Sequence, residues 1–245
     1  MTVQGGLKNV VHAAGLKRAA AAKAVEFIRT GMKIGLGTGS TADLFLELLA
    51  EKIRKGVEII GTPTSDRTAE KARSLGIPMA DLNDLKHLDV VVDGADEADG
   101  NLDLIKGGGG ALLREKIVAA SADRMIVIAD ESKMKQRLGA FPLPVEVARF
   151  GHVTTRARII RAAAAFGHAN LRPVLRIQND GGAYQTDNGN FIYDCALGEI
   201  RDAPALAAAL SSVTGVVEHG LFCGLASALV LAGPGGVRVI ERAPP

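Results

Sequence analysis

Short apolar runs alternate with amphipathic segments along the first half of the chain. Four runs have the length and composition of buried strands: 32–37, 57–61, 88–92 and 125–129. Four other segments show helical spacing of apolar residues or helix end signals: 16–29, 40–55, 66–75 and 111–120. Strands that alternate with helices favour a parallel sheet covered by helices on both faces.

The pattern changes after residue 133, where Phe141, Pro142 and Pro144 interrupt it. The order that follows is strand, helix, strand, strand, helix, strand, over 145–150, 154–165, 174–178, 191–196, 203–210 and 216–222. That order is typical of ferredoxin-like α+β folds. The apolar runs 225–231 and 237–240 are expected to return to the first sheet. We therefore predict a parallel-sheet domain over 1–138 plus 212–245, and a smaller α+β domain over 139–211.

Composition narrows the class of protein. The net charge is +2 with 4% aromatic residues and scattered basic residues, so we expect no nucleic-acid partner. No apolar stretch is long enough to span a bilayer, so we expect no membrane association. Cys195 and Cys223 make neither a disulfide framework nor a zinc site. The basic residues before residue 30 are compatible with a transit peptide, but a first amphipathic helix is the favoured interpretation.

A glycine-rich loop, Gly35–Thr41, separates the first predicted strand from its helix. Glycines allow positive φ, and a helix N-terminus attracts phosphate. A dinucleotide site would need a glycine at Ser40 and an acidic residue after the second strand, which instead ends in Thr62-Pro63-Thr64-Ser65. A phosphate site and a plain strand-to-helix turn are both compatible with this loop alone.

Four acidic residues follow the third strand within Asp93–Asp99. Ligands of parallel sheets bind outside the carboxyl ends of the strands, and Asp93 and Asp96 fall there. A solvated acidic loop and a divalent-metal site are the alternatives, although the spacing excludes an EF-hand.

Two further segments add cations and a carboxylate. Lys106 precedes four glycines, and Glu115 lies in the helix after them. Such a glycine run costs chain entropy, so we expect it where side chains would obstruct something or where the loop must bend sharply. Lys133 follows the fourth strand. Ordinary surface positions remain the alternative for Glu115 and Lys133, and the five histidines show no metal-ligand or triad spacing.

With these segments in place, the chain resembles the ribose-5-phosphate isomerase family of the A type. The matching stretches run in the family's order: GLGTGSTA (35–42), EKARSLGIP (70–78), VDGADE (92–97), IKGGGGALLREKI (105–117), IADESK (128–133), FPLPVEV (141–147), TDNGN (186–190) and GLF (220–222). Two departures are a short extra N-terminal lead and Gly110, which extends the glycine run.

The resemblance implies a Rossmann-like parallel-sheet domain with a smaller ferredoxin-like domain, in a cytoplasmic homodimer or homotetramer. It implies an aldose-ketose isomerase of the non-oxidative pentose phosphate pathway that interconverts D-ribose 5-phosphate and D-ribulose 5-phosphate through an enediolate, without cofactor or metal. Glu115 matches the proton acceptor, and the other catalytic residues are Asp93, Asp96 and Lys106. Substrate contacts are expected from Lys17, Thr38, Gly39, Ser40, Thr41, Asp93, Gly94, Ala95, Asp96, Lys106, Gly107, Gly108, Gly109 and Lys133.

Three other functions are compatible with parts of this pattern. They are a related amino-sugar phosphate deaminase, a sugar-phosphate-sensing effector module and a nicotinamide-dependent dehydrogenase. A sensor of the transcription-regulator type would need a helix-turn-helix, and the segment before Gly15 is too short for one. Which of Asp93 and Asp96 assists opening of the sugar ring stays open.

Overall fold

The computed structural model describes residues 3–243, with side chains from residue 13 onward. In chain order its elements are α1 (Val3–Val25), β1 (Lys33–Leu36), α2 (Ser40–Arg54), β2 (Ile60–Pro63), α3 (Asp66–Ser74), α4 (Leu82–Leu85), β3 (Val90–Gly94), β4 (Glu97–Ala98), β5 (Leu104–Ile105), α5 (Leu112–Ala120), β6 (Met125–Asp130), β7 (Leu143–Val147), α6 (His152–Ala164), β8 (Val174–Leu175), β9 (Phe191–Cys195), α7 (Ala203–Ser211), β10 (Val216–His219), β11 (Leu221–Phe222), β12 (Ala226–Gly233) and β13 (Gly236–Glu241). A short 3-10 turn, Glu131–Lys133, follows β6.

The chain forms two compact units. The first comprises the residues up to Ala95, Ile117–Lys133 and the residues from Leu225 onward, and the second comprises Asp96–Lys116 and Met134–Gly224. Within residues 3–243, no helix combines the length and the apolar character needed to cross a membrane.

A six-stranded sheet forms the centre of the first unit, in the order β13-β12-β6-β3-β1-β2. Its strands are parallel except β13, which pairs antiparallel with β12 at one edge. The inner strands are almost wholly buried, which explains their continuous apolar sequences. Helices α1 and α2 bury apolar side chains against them, among which Ala24 of α1 and Phe45 of α2 are fully enclosed.

The second unit contains two antiparallel sheets. Strands β10-β7-β9-β8 form one, and β11-β5-β4 form the other. In β7, Leu143, Val145 and Val147 pack with α6 and α7 into an apolar core. Because successive strand residues point to opposite faces, Pro144 and Glu146 lie on the other face. The order of β7, α6, β8, β9, α7 and β10 is the ferredoxin-like one.

The predicted fold class is confirmed: a parallel α/β sheet is combined with a smaller α+β region. The return of 225–231 and 237–240 to the first sheet is also confirmed. The second unit includes Asp96–Lys116 and the segment 212–224, which the sequence had assigned to the larger domain. The domain boundaries 1–138 plus 212–245 and 139–211 stay a prediction.

Two predicted elements differ clearly from the observed ones, and the short elements α4, β4 and β5 were not predicted. The predicted helix 16–29 is α1, which begins at Val3 and ends at Val25. Gly5, Gly6 and Gly15 lower the helix propensity of its first half and hid its start. The predicted strand 216–222 is two strands, β10 and β11, in different sheets. The break falls at Gly220, whose N–H donates to the carbonyl of Pro144 in β7 and whose carbonyl accepts from Lys106 after β5.

Candidate active site

Three of the sequence-predicted segments lie at one edge of the six-stranded sheet. Loop 37–41 follows β1, Asp93 lies near the end of β3, and Lys133 ends the turn after β6. These strands are parallel neighbours in the order β6-β3-β1, so their carboxyl ends share an edge. That edge is where ligands of such sheets bind. Lys133 is half-buried there.

Asp93 is buried against the glycine loop. Its Oδ1 accepts hydrogen bonds from the N–H groups of Thr38 at 3.0 Å and Gly94 at 2.7 Å. A Cβ at Gly37 would lie 2.3 Å from the same oxygen, so only glycine permits this approach. The absence of a side chain at Gly37 therefore makes room for a carboxylate of the protein.

A buried hydroxyl cluster, which the sequence analysis missed, supports this loop. The Thr38 Oγ1 lies 2.8 Å from Thr64 Oγ1, 2.8 Å from Ser65 Oγ and 2.9 Å from Thr68 Oγ1. Thr68 also donates to the carbonyl of Gly37. The Thr38 hydroxyl is therefore committed to the interior. The only signal in the sequence was the polar end of the second strand, which had served to argue against a dinucleotide site.

Lys17 reaches the start of α2. Its Nζ donates to Ser40 Oγ at 2.9 Å, and Thr41 follows in the first turn of the helix. An ammonium group and hydroxyls at a helix N-terminus suit an anion, because the terminal N–H groups carry partial positive charge. The expected substrate contact of Lys17 stays a prediction, and the structure shows its side chain at the start of α2.

Lys106 and Glu115 form a buried ion pair in the second unit. The Lys106 Nζ lies 3.4 Å from Glu115 Oε2, and the two side chains are 3% and 4% exposed. Lys106 follows β5, its N–H donates to the carbonyl of Gly220 at 2.9 Å, and its Nζ lies 5.5 Å from the centre of the Phe222 ring. The alternative that Glu115 is an ordinary surface residue is excluded by its burial. Burying two charges is costly, and such a pair contributes little net stability, which points to a functional role.

The glycine run turns sharply beside this pair. Gly107 and Gly110 have φ of 101° and 81°, and the Gly110 N–H donates to the Gly107 carbonyl at 3.0 Å. The Gly108 N–H donates to Asp96 Oδ2 at 2.7 Å, and a Cβ at Gly108 would lie 2.7 Å from Asp96 Oδ1. The prediction that side chains here would obstruct something is confirmed.

Asp93 and Asp96 belong to different units, since the chain passes from the first unit to the second after Ala95. Their neighbour Glu97 is buried and accepts hydrogen bonds from the N–H groups of Gly139 and Phe141, both at 2.7 Å. Glu97 therefore anchors a loop, and the acidic segment is not uniformly solvated. Among the residues that the structure describes, no cluster of three His, Cys, Asp or Glu side chains could hold a metal ion.

A second cation with little exposure, Lys116, follows Glu115 in the chain, and its contacts were not predicted. Its Nζ donates to Glu218 Oε1 at 2.6 Å and to the His219 carbonyl at 2.7 Å, and lies 4.8 Å from the centre of the Phe222 ring. Burial lowers the pKa of Lys116. Burial, with Lys116 nearby, also lowers the pKa of His219 to about 4, so this imidazole is neutral at pH 7. No spacing in the sequence indicated this cluster.

The fold and the Lys106–Glu115 pair together define the class of protein. It is an α/β protein with a buried carboxylate-ammonium pair suited to proton transfer. A carboxylate held in this way can accept a proton from carbon, and the cation can stabilise the resulting oxyanion. Comparisons with known proteins identify the family. The chain is similar to ribose 5-phosphate isomerase from Plasmodium falciparum, with a TM-score of 0.88 and 36% identity over 94% of this chain and 100% of that one.

A second solved structure, a D-ribose-5-phosphate isomerase in complex with phospho-erythronic acid, matches with a TM-score of 0.87 and 40% identity over 93% of this chain and 98% of that one. Ribose-5-phosphate isomerase A of Rhodopseudomonas palustris (strain TIE-1) is 58% identical over 231 residues, which cover 93% of this chain and 98% of the relative. The family model for ribose 5-phosphate isomerase A (phosphoriboisomerase A) matches residues 60–236. The chain belongs to the ribose 5-phosphate isomerase A family.

The predicted family and the prediction of an isomerase are therefore confirmed. The amino-sugar phosphate deaminase and the sugar-phosphate sensor are not favoured by these comparisons. The roles assigned to individual site residues stay predictions.

Proposed function

We propose that this chain interconverts D-ribose 5-phosphate and D-ribulose 5-phosphate. The observation that carries the proposal is the buried pair of Lys106 and Glu115 in a member of this family. Moving the carbonyl from C1 to C2 requires one carbon-bound proton to move from C2 to C1. A single carboxylate can perform both transfers through an enediolate, and a positioned base accelerates such a step by roughly 10²- to 10⁴-fold.

Glu115 is assigned the base, and Lys106 stabilises the charge on the enediolate oxygens. Asp93 and Asp96 are assigned to the sugar hydroxyls and to ring opening, together with the backbone of Gly94 and Ala95. The loop Thr38–Thr41, Lys17 and Lys133 are assigned to the substrate's polar groups, above all the phosphate. The contact of Lys17 with Ser40 at the start of α2 supports this. Because the Thr38 hydroxyl is turned inward and the Thr38 N–H donates to Asp93, Thr38 would contribute by holding the shape of the loop.

Substitution of Glu115 by Gln tests the assignment. The variant should lose roughly 10²- to 10⁴-fold in kcat with KM nearly unchanged, because the amide keeps the shape but cannot accept the proton. Ketose formation from ribose 5-phosphate measures turnover. In D2O, NMR should show exchange of the C2 proton with wild type and none with the variant.

The matched control is Glu199→Gln, which changes an exposed carboxylate of the same unit. It should leave both readouts unchanged. A Glu115→Gln variant that keeps more than about a tenth of wild-type turnover would refute the role of Glu115, given the contribution expected of a base.

The enzyme is further proposed to act as a cytoplasmic homodimer or homotetramer. This proposal rests on the family resemblance, and sedimentation of the purified protein would measure the assembly.

A further inference from the structure

Arg176 sits against the glycine run of the second unit. Its Nη1 donates to the carbonyl oxygens of Gly107 at 3.0 Å and Gly108 at 3.3 Å. The rest of the guanidinium is held by Asp194, whose Oδ2 accepts from Nε at 2.9 Å and whose Oδ1 accepts from Nη2 at 2.5 Å. This two-point pairing fixes the plane and the direction of the cation.

The turn also has a backbone hydrogen bond of its own. The Gly107 carbonyl already accepts the Gly110 N–H, and Tyr184 packs so closely that a Cβ at Gly110 would lie 2.2 Å from its hydroxyl oxygen. Arg176 is thus an additional cation on an already closed turn. Its side chain is only 15% exposed, so folding removes most of its contact with water. Removing a charge from water costs free energy, which suggests that Arg176 has a functional role.

The effect of the cation follows from peptide geometry. In a trans peptide group the C=O and N–H point in opposite directions, and the structure has no cis peptide among its described residues. The two carbonyls that Arg176 binds therefore direct the N–H groups of Gly108 and Gly109 away from it. A cation on the oxygen side also polarises each peptide group and strengthens its N–H as a donor.

Each of these N–H groups has a use in the reaction. The Gly108 N–H donates to Asp96 Oδ2 and so orients a carboxylate that faces the sugar in the proposed function. The Gly109 N–H belongs to an exposed residue of the turn. It is a suitable donor for a substrate oxygen that gains negative charge.

We propose that Arg176, held by Asp194, is a positioning residue that fixes and polarises the Gly107–Gly108 and Gly108–Gly109 peptide groups, so that they orient Asp96 and stabilise the enediolate oxygen. The proposal rests on the proposed function and adds to it a residue that does not touch the substrate.

Substitution of Arg176 by Met tests this. Loss of one full oxyanion donor typically costs about 10²- to 10³-fold in kcat, so loss of its polarisation should cost roughly 10- to 100-fold, with KM little changed. Two inhibitors separate this role from a structural one. Phospho-erythronic acid presents a charged carboxylate at the reacting end, whereas erythritol 4-phosphate presents a neutral hydroxyl. The variant should bind the acid more weakly by about the factor lost in kcat, and the alcohol as wild type does.

Three further variants sharpen the test. Arg172→Met removes an exposed arginine of the same segment and should behave as wild type. Asp194→Asn should reproduce part of the loss in kcat, because it weakens the pairing that holds the Arg176 guanidinium. Arg176→Lys keeps the charge but lacks the planar guanidinium, so its kcat should lie between those of Arg176→Met and wild type. If Arg176→Met does not fold, as thermal unfolding would show, the Lys and Asn variants carry the same comparison of the two inhibitors.

The proposal is overturned if Arg176→Met keeps wild-type kcat, or if both inhibitors weaken equally, because then Arg176 serves binding or folding in general. A failure of the proposed function looks different, since the wild-type enzyme itself would then form no ketose from ribose 5-phosphate.

Discussion

Gly220 links the second unit's two sheets to Lys106, and substituting it with Ala should disturb catalysis. Its N–H donates to the Pro144 carbonyl at 2.8 Å, and its carbonyl accepts the Lys106 N–H at 2.9 Å. A Cβ at this position would lie 2.2 Å from the Lys106 carbonyl oxygen and 2.9 Å from Pro144 Cδ. The backbone φ of Gly220 lies outside the left-handed region, so the effect of alanine is one of space alone.

The distances set the size of the effect. Ordinary van der Waals contact for a Cβ begins at 3.4 Å, so the 2.2 Å contact must open by 3.4 − 2.2 = 1.2 Å, and the obstacle is backbone. Overpacking of this kind costs about 1 to 3 kcal/mol. Weakening of the Lys106 hydrogen bond adds about 1 kcal/mol. Because the Lys106 ammonium must stay opposite Glu115, a displacement of about 1 Å should lower kcat roughly 100-fold.

Ketose formation from ribose 5-phosphate measures kcat, and urea unfolding measures the free energy. The matched control is Gly100→Ala in the same unit, where the added Cβ meets no atom within 4 Å and φ is unrestricted. It should leave both quantities near wild type. If Gly220→Ala loses stability but keeps wild-type turnover, the reasoning that couples this contact to Lys106 is wrong.

Two further predictions concern buried polar groups. Glu146 is fully buried with the neutral donors Thr186 and Asn190 on Oε1, and burial raises its pKa. The wild-type protein therefore loses stability as pH rises through that raised pKa. The Glu146→Gln variant should be more stable than wild type by about 1 to 3 kcal/mol near pH 8, and by little near pH 4. Urea unfolding curves of variant and wild type that coincide at both pH values would contradict this. Thr68→Val should cost about 1 to 3 kcal/mol and raise KM, because it leaves the Thr38 hydroxyl short of a partner. Thr68→Ser keeps the hydroxyl and should have wild-type stability and KM. A Thr68→Val variant with wild-type KM would show that the hydroxyl cluster does not hold the loop.

Much of the candidate site could be predicted from the sequence, because the carboxyl ends of neighbouring parallel strands lie at one edge of a sheet. Once the apolar runs before Gly37, Asp93 and Lys133 are recognised as parallel strands, the segments after them must lie on one side of a sheet. The ordered motifs identified the family because each residue type in them has a local reason. Gly35, Gly37, Gly108 and Gly220 stand where a Cβ would collide. Hydroxyl residues stand at the start of α2.

Other features depended on the tertiary structure alone. The burial of Glu115 beside Lys106 could not be separated from an ordinary surface position by sequence, because both residue types are common on solvated helices and loops. The division of 216–222 into two strands became visible only in the structure, where Gly220 hydrogen-bonds to Pro144 of one sheet and to Lys106 after β5 of the other.

The local pattern of apolar and polar residues determined the strands, the helices and the order of the candidate loops, since these depend on neighbours within a few positions. The tertiary structure decided which distant groups meet. Arg176 lies 69 residues from Gly107, and Thr68 lies 30 residues from Thr38. Contacts of this kind arise when packed elements bring side chains together, and no periodicity within either segment records them.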